Sequence, residues 1–142
     1  MNENFQRFSV SLPKRLLEEF DQVIKKLGMS RSDAIRKAMR DYIIRNTKLL
    51  TPMEGIVVGS ITLILDHEQK HGILDELNEL QHQHLEIINA SLHIHLNETD
   101  CMLVLPVRGN AQKIKDLSIT LQAMPEIKEL KLTLVSAGEK LE

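Results

Sequence analysis

Between Gln81 and Cys101 the chain gathers most of its side chains able to hold a soft cation. Four of its six histidines (His82, His84, His93 and His95) and its single cysteine, Cys101, fall here. His93 and His95 stand two apart in the alternating run Ser91-Leu92-His93-Ile94-His95-Leu96. On a strand both imidazoles leave one face, and Leu92, Ile94 and Leu96 leave the other. The polar stretch Asn97-Glu98-Thr99-Asp100 reads as a hairpin turn, which would fold Cys101 back beside the histidines. Two imidazoles and a thiolate make a three-ligand set for a borderline-soft divalent metal. His82, eleven residues before His93 and expected on a helix, is a fourth candidate. The competing reading is that each group is merely packed, since an isolated buried histidine or cysteine is commonly structural. The residues alone leave both readings open.

The elements that must position these groups belong to a chain of 142 residues, enough for one ordinary domain or two small ones. With no Trp and one Tyr, the cores must be built from Leu, Ile, Val and Met. No long uncharged apolar run predicts a transmembrane helix, and the start Met-Asn-Glu-Asn-Phe-Gln-Arg lacks the apolar stretch of a signal peptide. One cysteine cannot make an internal disulfide, so a cytoplasmic location is expected. The net charge of −2 conceals a split. Residues 1–50 carry 11 Lys/Arg and 6 Asp/Glu, a net of +5; residues 51–142 carry 7 and 14, a net of −7. A basic unit suited to a polyanion thus precedes an acidic unit that holds every histidine.

Arg7 to Leu12 alternates strictly, with Phe8, Val10 and Leu12 on one face and Arg7, Ser9 and Ser11 on the other, which predicts a short strand. Pro13 suits a helix start, Leu16, Leu17, Phe20, Val23, Ile24 and Leu27 form a helical stripe, and Gly28 suits its end. Ser30 with Asp33 resembles a capping box for a second helix, whose stripe is Ala34, Ile35, Ala38, Met39, Tyr42 and Ile43. A lone strand needs a partner, and fifty residues bury too little to fold comfortably alone. Two copies pairing their strands into an antiparallel ribbon would supply both. This pattern resembles the ribbon-helix-helix family of DNA-binding proteins. The resemblance implies that Arg7, Ser9 and Ser11 read base edges in the major groove, and that Ser30, Arg31 and Ser32 meet phosphate at a helix N-terminus.

Residues 47–53 read as a linker containing Thr51-Pro52. Then come a β-type run from Glu54 to Leu65, a polar turn, and a helix with Ile73, Leu74, Leu77, Leu80 and His84 on one face. His84 is therefore read as structural, whereas His82 lies off the stripe on a side free to meet another subunit. The hairpin of Ser91–Leu96 and Cys101–Val107 follows, then a helix capped by Asn110 with Ile114, Leu117 and Leu121 inward, and a strand from Glu126 to Ser136. The fold class expected is α+β: a βαα arm over residues 1–50 and a ferredoxin-like βαββαβ domain over 54–142. The apolar character of the strands predicts that a second chain covers the sheet face opposite the helices.

The arm, the βαββαβ order and the spacing His-x10-His-x-His-x5-Cys, met at His82, His93, His95 and Cys101, together resemble the nickel-responsive transcriptional regulators, the NikR family. The resemblance spans nearly the whole chain. It implies a homotetramer, a dimer of dimers, that binds a palindromic operator in double-stranded DNA and represses nickel-uptake genes. It implies Ni(2+) held in a square-planar site by His93, His95 and Cys101 of one chain and His82 of a neighbour, so that metal raises DNA affinity. Lys70 becomes a non-specific phosphate contact. Some positions depart from the family pattern. Leu103 stands where a glutamate is common, Thr99 where a histidine is common, and Lys37 replaces an aspartate of a second cation site, which is not expected here. Two other regulators stay open, one sensing another divalent metal and one sensing a small molecule bound between C-terminal domains. No acid–base pair stands beside an open metal position, so the chain is not expected to be an enzyme.

Overall fold

The computed structural model describes residues 4–135. Ser136, the expected end of the last strand, lies outside them, as do residues 1–3 of the expected arm and 136–142 of the expected second domain. The described chain divides into two compact units at Arg45/Asn46.

The first unit holds α1 (Lys14–Leu27) and the greater part of α2 (Arg31–Leu50). Gly28 ends α1 in the left-handed conformation at φ 67°, and the Met29 N–H closes on the Ile24 carbonyl at 3.0 Å. That is the geometry in which glycine avoids a Cβ clash. The N-cap half of the expected capping box forms: Ser30 Oγ accepts from the Asp33 N–H at 3.1 Å, while the Asp33 carboxylate accepts from the Ser30 hydroxyl at 2.8 Å. The expected strand does not form within one chain. Residues 4–13 carry no sheet pairing, and Phe8, Val10 and Leu12 are exposed. A strand needs a neighbour to bond its N–H and C=O groups, and one chain offers none here. In this unit only Ile24 and Ala34 are buried apolar residues among those described.

The expected linker is also shorter than the sequence suggests. α2 runs through Thr47–Leu50, and Thr51 still bonds to the Thr47 carbonyl through its N–H at 3.0 Å and its hydroxyl at 2.8 Å. Pro52 then stops the helix, because it has no N–H and its ring clashes with the preceding turn.

The second unit contains β1 (Ile56–Asp66), α3 (Ile73–Gln83), β2 (Leu92–His95), β3 (Asp100–Asn110), α4 (Ala111–Gln122) and β4 (Ile127–Val135). The sheet order is β2-β3-β1-β4, with every neighbouring pair antiparallel. Alternation along β1 and β3 sends Ile61, Leu63, Leu65, Cys101, Leu103, Leu105 and Val107 to one face. There they pack with Ile73 and Leu77 of α3 and Ile114, Leu117 and Leu121 of α4 in a single core. Asn110 caps α4, its side-chain oxygen accepting from the Lys113 N–H at 3.0 Å. The opposite face carries Val58, Ile64, Met102 and Val104, half-buried, with Leu92 and Ile94 more exposed. At Gly59 a Cβ would stand 2.0 Å from the Thr133 carbonyl oxygen, so only glycine lets β4 pair there. Among the described residues no helix is long and apolar enough to cross a membrane.

Candidate metal centre

The β2–β3 hairpin builds the centre locally. Asn97 organises its turn: the side-chain oxygen accepts from the N–H groups of Thr99 at 2.9 Å and Asp100 at 2.8 Å, and from the Thr99 hydroxyl at 3.0 Å. An asparagine side chain thus mimics the backbone of a turn. The resulting register sets His95 directly opposite Cys101 and His93 opposite Leu103. Since alternate residues share a face, His93, His95 and Cys101 converge. Their ligand atoms all lie within 4.8 Å of one another. The Cys101 sulfur is 3.5 Å from Nδ1 of His95, and the two rings stand 4.7 Å apart at a 41° tilt.

Two donors on one ion, each about 2.0–2.3 Å from it, can be at most about 4.4 Å apart. Three donors on one ion also include pairs only about 3–4 Å apart, so side-chain rotation of about an ångström would seat all three, and the donor set fits a borderline-soft divalent cation. Both histidines are exposed and Cys101 is fully buried. Burial, and then the neighbouring Asp100 carboxylate, push the Cys101 thiol above its ordinary range. The thiolate that a metal needs is thus disfavoured until a cation arrives. Asp100 is itself held below the usual carboxylate range, first by the Lys128 ammonium at 2.7 Å. Leu103 is buried beside His93 and gives the site an apolar wall there.

His82 is not part of this group within one chain. It lies exposed on the last turn of α3, with Nδ1 2.9 Å from the Asn78 carbonyl. A carbonyl only accepts, so Nδ1 carries the proton and Nε2 keeps its lone pair for a ligand. His84 makes the same contact to the Leu80 carbonyl at 2.8 Å but is half-buried at the end of α3, in keeping with the structural reading.

The candidate nucleic-acid residues are exposed, but several already have partners. Arg7, Ser9 and Ser11 lie on the unpaired segment before α1, and Ser32 lies in the first turn of α2. Ser30 caps α2. Arg31 forks onto the Asp21 carboxylate at 3.1 and 2.7 Å. Lys70 meets Glu76 at 2.6 Å. A phosphate would have to compete with these two carboxylates, which is feasible because exposed ion pairs contribute little.

Three described polar residues, Lys115, Ser118 and Glu126, are buried without a sequence signal singled out for them, and Lys115 is the charged one with the longest reach. Lys115 is 6% exposed on α4, and its ammonium donates to the carbonyls of Lys48 at 2.8 Å and Thr51 at 2.7 Å. The signal was present: Lys115 falls among Ala111, Ile114 and Ser118, on the inward stripe of its helix.

Known proteins converge on the same regions. The NikR C-terminal nickel-binding domain matches residues 58–135, and the ribbon-helix-helix protein, CopG family, matches residues 6–46. Relatives named as nickel-responsive regulators match almost end to end. That of Methanocaldococcus jannaschii is 40% identical over 95% of both chains. That of Methanothrix thermoacetophila is 39% identical over 99% of this chain and 100% of the relative, and that of Pyrococcus horikoshii 40% over 95% and 96%. A solved, uncharacterized protein of Thermotoga maritima shares the fold over 58% of this chain and all of its own, at TM-score 0.51 and 17% identity. With a ribbon-helix-helix match at one end, a nickel-binding domain at the other and relatives spanning both, this chain belongs to the nickel-responsive regulator family, a family of regulators and not of enzymes.

Proposed function

We propose that this chain is a cytoplasmic repressor of nickel-uptake genes whose grip on DNA is set by nickel. The observation that carries the reading is the convergence of His93, His95 and Cys101 within 4.8 Å, together with a fourth histidine, His82, primed on Nε2 but standing outside the group. His93, His95 and Cys101 of one chain and His82 of a neighbour would hold the ion. When bound, nickel supplies a cross-link between subunits. The Asn97 turn fixes the spacing of three ligands, and the Asn78 carbonyl fixes the tautomer of the fourth.

The remaining surfaces support a homotetramer, a dimer of dimers. The half-covered sheet face around Val58, Ile64 and Met102 suits a second C-terminal domain. The exposed apolar residues Phe8, Val10, Val23 and Leu27 suit a second arm. Paired strands would then present Arg7, Ser9 and Ser11 to the major groove of a palindromic operator, with Ser30, Arg31, Ser32 and Lys70 on phosphates.

A gel-shift titration tests this with a palindromic duplex selected from a random pool by the nickel-loaded protein. Stoichiometric nickel is expected to tighten binding, and Cys101→Ala to abolish both that gain and the thiolate charge-transfer absorption of the nickel form. Equal DNA affinity with and without nickel would overturn the reading. The donor set also accepts copper, cobalt or zinc, so parallel titrations with each ion decide whether the response is to nickel alone.

A further inference from the structure

We infer that Lys115 is a positioning residue: it clamps the last turn of α2 to α4, and through that clamp the metal-binding unit acts on the helix that begins at the Ser30–Ser32 segment. The inference rests on the function proposed above. Helix ends leave carbonyls without partners. The Lys48 carbonyl would ordinarily accept from the residue four further on, but that residue is Pro52, which has no N–H. The Lys115 ammonium takes the vacant place at 2.8 Å and reaches the Thr51 carbonyl at 2.7 Å. Among the described residues no carboxylate pairs with it. A buried cation is costly unless satisfied, and here the negative end of a helix satisfies it.

Two further contacts lie on either side. The Gln122 amide donates to the Asn46 side-chain oxygen at 2.7 Å, and the Met53 N–H donates to the Gln112 side chain at 3.2 Å. Read along α4, residues 112, 115 and 122 therefore meet 53, then 51 and 48, then 46, so that α4 runs antiparallel to the tail it holds. Alongside these contacts α4 buries Ile114, Leu117 and Leu121 in the core that also contains Cys101 and Leu103. One helix is thus packed with the ligand-bearing strand and hydrogen-bonded to the end of α2. α2 is continuous from Arg31 to Leu50 and so has residues in both units.

The test uses the full chain, its Lys115→Met variant, which keeps an unbranched apolar stem but loses the ammonium, and Gln122→Ala. Three quantities are read: amide exchange over residues 46–53, nickel affinity by chelator competition, and the ratio of DNA affinities with and without nickel on the selected duplex. For Lys115→Met, exchange over 46–53 is expected to quicken by about tenfold and the nickel-dependent gain to shrink by about tenfold, with nickel affinity unchanged. Gln122→Ala should shift both in the same direction by less, and it decides the matter if Lys115→Met does not fold. Exchange that stays slow shows that Lys115 holds nothing, and faster exchange with an undiminished gain shows a merely structural tie; either overturns the inference. If the unaltered chain shows no nickel-dependent gain, the proposed function falls instead, and exchange alone then judges the clamp.

Discussion

The two units spend their apolar residues differently. In the second, alternation along β1 and β3 and the stripes of α3 and α4 meet in one core, and Ile61, Leu65 and Ile114 are wholly removed from water. In the first, stripes just as regular lead mostly outward: Leu16, Val23, Leu27, Met39 and Ile43 are each at least half exposed. Periodicity records which face of an element seeks cover. It does not record whether the cover comes from the same chain. The acidic unit encloses its own core, while the basic arm leaves its apolar stripes uncovered within one chain.

The largest effect that would sharpen this contrast is in the core of the second unit. Leu105→Ala should cost about 2–5 kcal/mol in denaturant unfolding, because it empties a fully enclosed volume. Phe8→Ala removes more atoms, yet its cost should depend on protein concentration, rising as arms associate. A cost independent of concentration would break the contrast. Next comes the face of the arm proposed to meet DNA. Arg7→Ala should lose about 1–3 kcal/mol of specific binding while leaving thermal stability unchanged; an unaltered site preference would remove Arg7 from base reading. The smallest effect compares two caps. Asn110→Ala and Ser30→Ala each remove one N-terminal hydrogen bond and should each cost about 1 kcal/mol. Only the Asn110 loss should appear as global destabilisation in unfolding, since α4 is packed into the core and α2 begins in the sparsely buried unit.

The order of elements in the second unit was legible because each is signalled locally, by strict alternation or by a stripe at helical spacing. The three-ligand group was legible for the same reason: His93, His95 and Cys101 lie on one hairpin, so spacing and turn chemistry suffice to bring them together. What resisted reading depends on distant residues. The contact from Lys115 to Lys48 crosses 67 positions, and nothing local pairs them. The end of α2 was placed too early because Thr47 resembles linker, whereas the helix stops only where Pro52 compels it. The alternation of Arg7 to Leu12 is local, but the partner its strand would need is not, and within one chain the segment stays unpaired and exposed. His82 is a case between these: its exposure was foreseen from the stripe, and its tautomer required the Asn78 carbonyl to be placed.

The Asn97 turn carries a consequence for how a cation is acquired. Only six positions separate His95 from Cys101, so most of the entropy of gathering the donors is met when a short loop closes. Such loops close far faster than sheets assemble. An arriving ion therefore meets three donors already at high effective concentration. Capture at the hairpin can precede, and be separated in time from, the slower meeting of subunits that would add the fourth.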